Sequence, residues 1–158
     1  MRGKVGKVIR KREVKPDQVY NSVVVARLIN KVMMDGKKTI AARIVYKALE
    51  ELGKQAKDEP VTALDKALQN VKPSMEVRSR RVGGANYQIP MPVAPGRQEA
   101  LAMRWIIDTA RGKQGSAFED LFTKELINAY KGEGDAIKKK SDVEKMAEAN
   151  KAFAHFRW

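Results

Sequence analysis

Apolar residues return along this chain with two different periods, and the change of period divides it into helices around one alternating segment. From Asn21 to Met34, the residues Val24, Val25, Leu28, Ile29, Val32 and Met33 form a stripe at helical spacing. Asn21 or Ser22 can cap its start, and Gly36 can close it in the left-handed conformation. A second helix opens at Lys37-Lys38, carries Ile40, Ala41, Ile44, Ala48, Leu49 and Leu52 on one face and ends at Gly53. A third, with Asp58 and Pro60 in its first turn, runs to Asn70 and packs Val61, Leu64 and Leu68. The period then changes to two. Met75, Val77 and Ser79 lean one way and Glu76, Arg78 and Arg80 the other; Gly83-Gly84 follows, and Ala85, Tyr87 and Ile89 resume the alternation. Two alternating runs joined by Gly-Gly predict a β-hairpin over residues 72–92. Pro90, Pro92 and Pro95 are expected to end its second strand, since proline brings no N–H to a ladder.

Helical spacing returns from Gly96 to Arg111, with Gly112 as the stop and Leu101, Trp105, Ile106 and Ile107 facing inward. Ser116 and Glu119 have the spacing of a capping box ahead of a fifth helix, which buries Phe118, Leu121, Phe122 and Leu126 and stops at Gly132. A sixth, from about Asp135 to Asn150, has a thin apolar face of Ile137, Val143, Met146 and Ala147. A second possible capping box, Ser141 and Glu144, makes a break there an option. The fold class is therefore mainly α: one domain, 1–158, of about six helices with a β-hairpin arm between the third and fourth. A strand from Ser74 to Val82 would extend ~30 Å at about 3.4 Å per residue. A body of this length has a radius of gyration of roughly 15 Å, so the arm is expected to project. An isolated hairpin is marginal in water, and the arginines near this tip make a polyanion its natural stabiliser.

Composition narrows the function. Thirty-two Lys and Arg face 19 Asp and Glu, a formal net charge of +13, which promotes association with nucleic acid or an anionic membrane. No apolar run approaches the ~20 residues that span a bilayer, and the basic first residues have no apolar segment behind them. No cysteine is present, so neither disulfides nor thiolate metal sites arise. The chain reads as cytoplasmic. His155 is the single histidine, in a tail expected to be mobile, and no nucleotide-cradling, zinc-protease or nucleophile-elbow motif occurs. Acidic pairs such as Glu50-Glu51 and Glu119-Asp120 read as i,i+4 partners of lysines. No catalytic residue, metal or cofactor is expected.

The basic residues fall in groups. Arg2, Lys4, Lys7, Arg10, Lys11, Arg12 and Lys15 make residues 1–15 a self-repelling flexible arm that phosphates would neutralise; a solvated terminus is the alternative. Lysines at a helix N-terminus oppose the macrodipole, a cost that a nearby anion removes. Lys31, Lys37, Lys38 and Arg43 are therefore candidate phosphate contacts, unless they only decorate a surface turn. Arg97, Arg104 and Arg111 are seven apart, share a helix face within ~20° per step and span ~21 Å. Together with Arg78, Arg80 and Arg81 they would form one continuous basic surface, offset locally by Asp108 alone. In the tail at 149–158, Phe153, His155, Phe156 and Trp158 interleave with Lys151 and Arg157. Such rings can stack on bases or dock on the chain's own helices.

Two long stretches, NSVVVARLINKVMMDGKKTIAARIVYKAL and PSMEVRSRRVGGANYQIPMPV, together with the ending MAEANKAFAHFRW, resemble the bacterial small-subunit ribosomal protein seven family. The resemblance covers Arg2 to Trp158. It implies a six-helix bundle with an arm, and a non-catalytic protein that binds the 3′ major domain of small-subunit ribosomal RNA, nucleates head assembly and lies near the exit-site tRNA and the messenger. It carries RNA binding onto Arg2 to Arg12, Lys31 to Lys38, Arg78 to Arg81 and Arg97 to Arg111. It places Gly83, Gly84, Asn86, Tyr87, Lys151, His155, Arg157 and Trp158 toward tRNA and mRNA. Phe156 stands where a tyrosine is common, which removes a hydroxyl and keeps a stacking ring. Neighbouring small-subunit proteins, including the eleventh, are implied partners; no membrane is, and off the ribosome a monomer is expected. The competing class is an architectural DNA-bending protein with a basic β-arm. Such arms insert an apolar wedge, whereas here the prolines lie at the base and the tip offers Gly83, Gly84 and Ala85.

Overall fold

The computed structural model describes residues 12–157; the candidate contacts Arg2, Lys4, Lys7, Arg10, Lys11 and Trp158 lie outside them. Six α-helices and one hairpin follow the predicted order: α1 Val23–Val32, α2 Lys38–Ala56, α3 Pro60–Val71, β1 Met75–Val82, β2 Ala85–Pro92, α4 Pro95–Gly112, α5 Phe118–Lys131 and α6 Asp135–Ala149. A 3-10 helix, Lys151–Phe156, follows. The predicted stripes supply most of one apolar cluster, with Val25, Leu28, Leu49, Leu52, Leu64, Ile106, Phe122 and Leu126 all essentially inaccessible. Val45 and Met103, outside those stripes, are buried with them, whereas Ile40, expected on the inner face of α2, is exposed. Helix α5 packs against α2, α3 and α4 and so lies at the centre of the bundle.

Several ends differ from expectation, each for a local reason. Ser22 caps α1, accepting the Val25 N–H, while Asn21 sits before it at positive φ. The helix stops at Val32 because Met33 is extended. Asp35 and Gly36, both at positive φ, then make a tight turn closed by the Lys37 N–H on the Met34 carbonyl at 3.0 Å, the geometry Asp-Gly favours. Gly36 is thus a turn residue rather than the helix stop. Gly53 does not end α2 but lies buried inside it, and Lys57 closes the helix in the left-handed conformation. A Cβ on Gly53 would stand 3.0 Å from Pro60 Cγ and 3.3 Å from the Asp58 carbonyl oxygen. The missing side chain is what lets α3 start so close to α2.

Neither capping box forms. Ala117, not Ser116, is the N-cap of α5. Glu119 therefore falls one position too early to reach back, and its carboxylate pairs with Lys47 on α2 at 2.6 Å instead of with a lysine of its own helix. Glu50 and Glu51 do pair with Lys54 as expected. Helix α6 runs through Ser141 without a break, and Glu144 accepts the Ser74 N–H and hydroxyl, both at 2.9 Å, at the foot of β1. Met146, expected inside, is 48% exposed; Ala147 is buried as expected, and Ala136 is buried as well.

The second strand runs through Pro90 to Pro92. Register pairs Val77 with Pro90 and Met75 with Pro92, and the Val93 N–H donates to the Ser74 carbonyl. Counting back from that bonded pair, Pro90 and Pro92 fall at the non-bonded positions, whose N–H would point away from β1. A two-stranded ribbon has only such outer edges, so proline costs it nothing there. The arm is not free along its whole length. Its base packs on α6, Ile89 is fully buried, and β2 is covered by the C-terminal 3-10 helix. The chain's own tail therefore takes the stabilising part expected of a polyanion; residues 83–86 remain exposed.

Two carboxylates that the apolar pattern did not flag hold the bundle's polar joints. Asp17 accepts the N–H groups of Val19, Tyr20 and Ser22 at 3.0, 2.9 and 3.1 Å and the Tyr46 hydroxyl at 3.2 Å. Burial pushes its carboxyl up, but these four donors together outweigh burial and hold it below the ordinary value. Glu125 on α5 is fully buried, accepting the Ala136 N–H at 2.9 Å and the Lys113 ammonium at 2.8 Å. It occupies the same stripe as Leu121, Phe122 and Leu126.

Two outcomes test these joints. Gly53→Ala gains helix propensity of about 0.5–1 kcal/mol but meets Pro60, and overpacking costs ~1–3 kcal/mol. Thermal melts should show a net loss, whereas Gly112→Ala, with open space around its Cβ, should not lower Tm. Asp17 has a folded pKa below its unfolded value of 3.8, so its stabilisation is complete above that pH and is lost as pH falls through the folded value. Asp17→Ala should cost about 1–2 kcal/mol near neutral pH and leave a flatter acid limb below pH 3.8 in urea titrations.

Candidate nucleic-acid interface

Helices α1 and α4 lie side by side, and cations from both fill the seam between them. Lys31 from the last turn of α1 and Arg104 and Arg111 from α4 line one depression, with Ile107 as its floor and Asp108 at its edge. Lys31 also lines the neighbouring depression, with Val14, Arg27 and the first turn of α4. Arg111 reaches the other way, into a third cleft that Lys37 and Lys113 border. Lys31 joins the first two concavities and Arg111 joins the first and third, so the three form one strip from the start of the described chain to the α1–α2 turn.

The arginines along α4 are not equivalent. Arg97 grips Glu76 with two bonds, Nε to Oε1 at 2.8 Å and Nη2 to Oε2 at 2.9 Å. Arg78 adds Nε and Nη2 to Oε1 at 3.1 and 3.0 Å. Glu76 is only 7% exposed. The hydrogen bonds from Arg97 hold its carboxyl below the usual range, against burial and with help from Arg78. Asp108 is therefore not the only carboxylate offsetting the stripe. Arg111 is oriented by the Val32 carbonyl, to which its Nη2 donates at 2.9 Å, and lies 5.6 Å over the Phe118 ring. Arg104 is exposed and forms no ion pair within 4.0 Å among the described residues.

The hairpin arginines separate by strand parity. Arg78 and Arg80 share a face with Ile89 and Tyr87, their partners in register. Arg80 donates to the Phe156 carbonyl, so its guanidinium is turned toward the tail. Arg81, opposite Asn86, points from the other face and is exposed. Gly83 and Gly84, both at positive φ, form the tip with open space around them. Of the tail residues, Phe153 and Phe156 pack on Tyr87 in tilted pairs at 5.1 and 5.0 Å between centroids, and Arg157 Nε donates to the Pro90 carbonyl at 3.0 Å. The rings do dock on the chain itself, but on the arm rather than on the helices. Lys151 sits 3.6 Å from Glu148, and His155 Nδ1 lies 2.9 Å from the Ala152 carbonyl; both side chains are exposed.

The structure thus brings together Lys31, Lys37, Arg104 and Arg111, places Arg97 beside them with its charge offset, and turns Arg80 and Tyr87 to an internal contact. Lys38, Arg43 and Arg12 are exposed outside the strip's lining. Sequence reasoning missed Arg27, which lines the seam while bonded to Glu99 at 2.9 Å. It also missed Lys113, which borders the third cleft while holding Glu125 and Asp135 at 2.8 and 3.0 Å. Arg27 precedes Lys31 by four residues, one helical turn, and that spacing was the available signal. Among the described residues no His, Cys, Asp and Glu cluster could hold a metal ion, and no helix is long and apolar enough to cross a membrane.

Residues 4–151 match the family model described as ribosomal protein S7p/S5e. The chain is 57% identical over 148 residues to the small ribosomal subunit protein uS7 of Kosmotoga olearia, covering 94% of this chain and 96% of that one. The protein of that name from Thermosipho africanus is 55% identical over 147 residues (93% and 95%), and that from Treponema denticola 53% over 153 residues (97% and 98%). These likenesses give no support to the architectural DNA-bending alternative. A match running almost from end to end, on a bundle whose arm lies between its third and fourth helices, places this chain in the S7p/S5e family of ribosomal proteins.

Proposed function

We propose that the chain is a structural, non-catalytic constituent of the small ribosomal subunit that binds its ribosomal RNA directly. The observation that carries this is the strip of Lys31, Lys37, Arg104 and Arg111 along the α1–α4 seam, on a chain with a net charge of +13. A rigid helical body that fixes several cations suits recognition of RNA by shape, 2′-hydroxyls and backbone. In this reading the protein binds the 3′ major domain and nucleates the head. The basic residues 2–12 and Arg81 add phosphate contacts, and the tip at Gly83, Gly84 and Asn86 faces the exit-site tRNA and the messenger. Lys151, His155, Arg157 and Trp158 contact the same two partners in this reading. Neighbouring proteins, the eleventh among them, complete its surroundings, and the whole chain acts as one domain, monomeric when off the ribosome.

Salt dependence tests the proposal. With ~6–10 phosphates neutralised, affinity for a 3′-major-domain RNA should fall ~10³–10⁵-fold between about 50 and 200 mM salt; a flat response in filter binding would overturn it. The arginines should then sort by environment. Arg104→Ala and Arg81→Ala should each lower the salt slope by about 1 without changing Tm. Arg97→Ala should instead lower Tm, because it leaves the buried Glu76 carboxylate without its two-bond partner.

A further inference from the structure

The third cleft does not fit a purely phosphate-reading surface. It is a cavity of about 370 Å³ between the α1–α2 turn, α2, the end of α4 and the start of α5. Its floor is apolar, from Val32, Ile44, Phe118 and Leu121. Two large apolar side chains stand open to solvent at its mouth: Met34 is 61% and Ile40 46% exposed. Three cations border it, Lys37, Arg111 and Lys113, and no carboxylate does. Lys37 has no ion pair within 4.0 Å among the described residues, and Arg111 is held in place by the Val32 carbonyl and the Phe118 ring. A flat apolar body carrying negative charge satisfies both halves of this lining.

We infer that this cleft takes one unstacked nucleotide of the bound RNA, its base seated between Met34 and Ile40 against the edge of the Phe118 ring, whose faces Arg111 and Phe122 cover, and its phosphate on Lys37 and Arg111. This rests on the RNA-binding reading above. Three arguments favour a nucleotide over an acidic peptide segment. Arg111 lines both this cleft and the Lys31–Arg104 depression, so an RNA strand on the strip already passes the opening. The volume lies near the lower end of the ~300–1,000 Å³ range of small-molecule pockets, which suits a single base better than a helix. RNA read by protein commonly presents splayed bases at loops and bulges, stacked on aromatic side chains. The cleft would thus add an apolar base contact to an interface otherwise made of charge.

Met34 and Ile40 are exposed, so the double variant Met34→Ser/Ile40→Ser should keep the wild-type far-UV CD spectrum and Tm. On a 3′-major-domain RNA it should bind about 5- to 30-fold more weakly, the scale of losing a few buried apolar methylene contacts, with an unchanged salt slope because no phosphate contact is removed. A photoreactive benzoylphenylalanine in place of Met34, in full-length protein within reconstituted small subunits, should crosslink to RNA. Unchanged affinity in the double variant, or a crosslink to a ribosomal protein instead of RNA, would overturn the inference while leaving the RNA-binding reading intact. A flat salt response of the wild-type protein would instead remove that reading itself.

Discussion

The position of the arm depends on one carboxylate. Glu76 lies at the foot of β1, almost out of reach of water, with Arg97 of α4 on one side and Arg78 of its own strand on the other. A buried ion pair of this kind adds little net stability compared with an apolar contact of the same shape, yet losing one partner costs several kcal/mol. Its contribution is to specificity: it fixes the arm against the first turn of α4, and α4 in turn carries the seam cations. Glu144 on α6 repeats the device at Ser74, the residue before the strand begins. Two carboxylates from different places in the chain thus set the angle at which the ribbon leaves the bundle.

The cations around that joint fall into two kinds. Arg78, Arg80, Arg97 and Lys113 all end on internal partners: a carboxylate, a backbone carbonyl, or a buried glutamate. Arg104, Lys37 and Arg81 point outward, with no ion pair within 4.0 Å among the described residues. Net charge counts both kinds alike, whereas counterion release counts only those that meet a phosphate. The surface that reads as a single arginine stripe is therefore smaller than its sequence suggests, and it lies along the seam rather than over the arm.

What could be read from residue order follows from this division. Helix stripes depend on local spacing and burial of apolar atoms, so all six helices and the hairpin were legible, with the Gly-Gly tip in place. Helix ends depend on what arrives from elsewhere. Gly53 looks like a stop until Pro60 is known to lie 3.0 Å from its missing Cβ. Ser116 and Glu119 look like a cap until Lys47 takes the carboxylate. Pro90 and Pro92 end a strand only if their missing N–H is needed, and register on a two-stranded ribbon decides that it is not. The seam was legible as a seven-residue repeat of arginines. The neutralisation of Arg97 was not, because Glu76 lies 21 residues away in the chain.

The ring cluster of Tyr87, Phe153 and Phe156 bears on the order of synthesis. Aromatic pairs of this geometry are worth about 0.5–1.5 kcal/mol each beyond their buried area, and the Arg157–Pro90 bond closes the same contact. A ribosome making this chain releases residues 75–92 well before 151–157. Through that interval the ribbon has its footing on the bundle still incomplete and no cover over its second strand. Stiffening of the arm thus waits on a segment made well after the ribbon itself, which must fold back over the second strand to complete it.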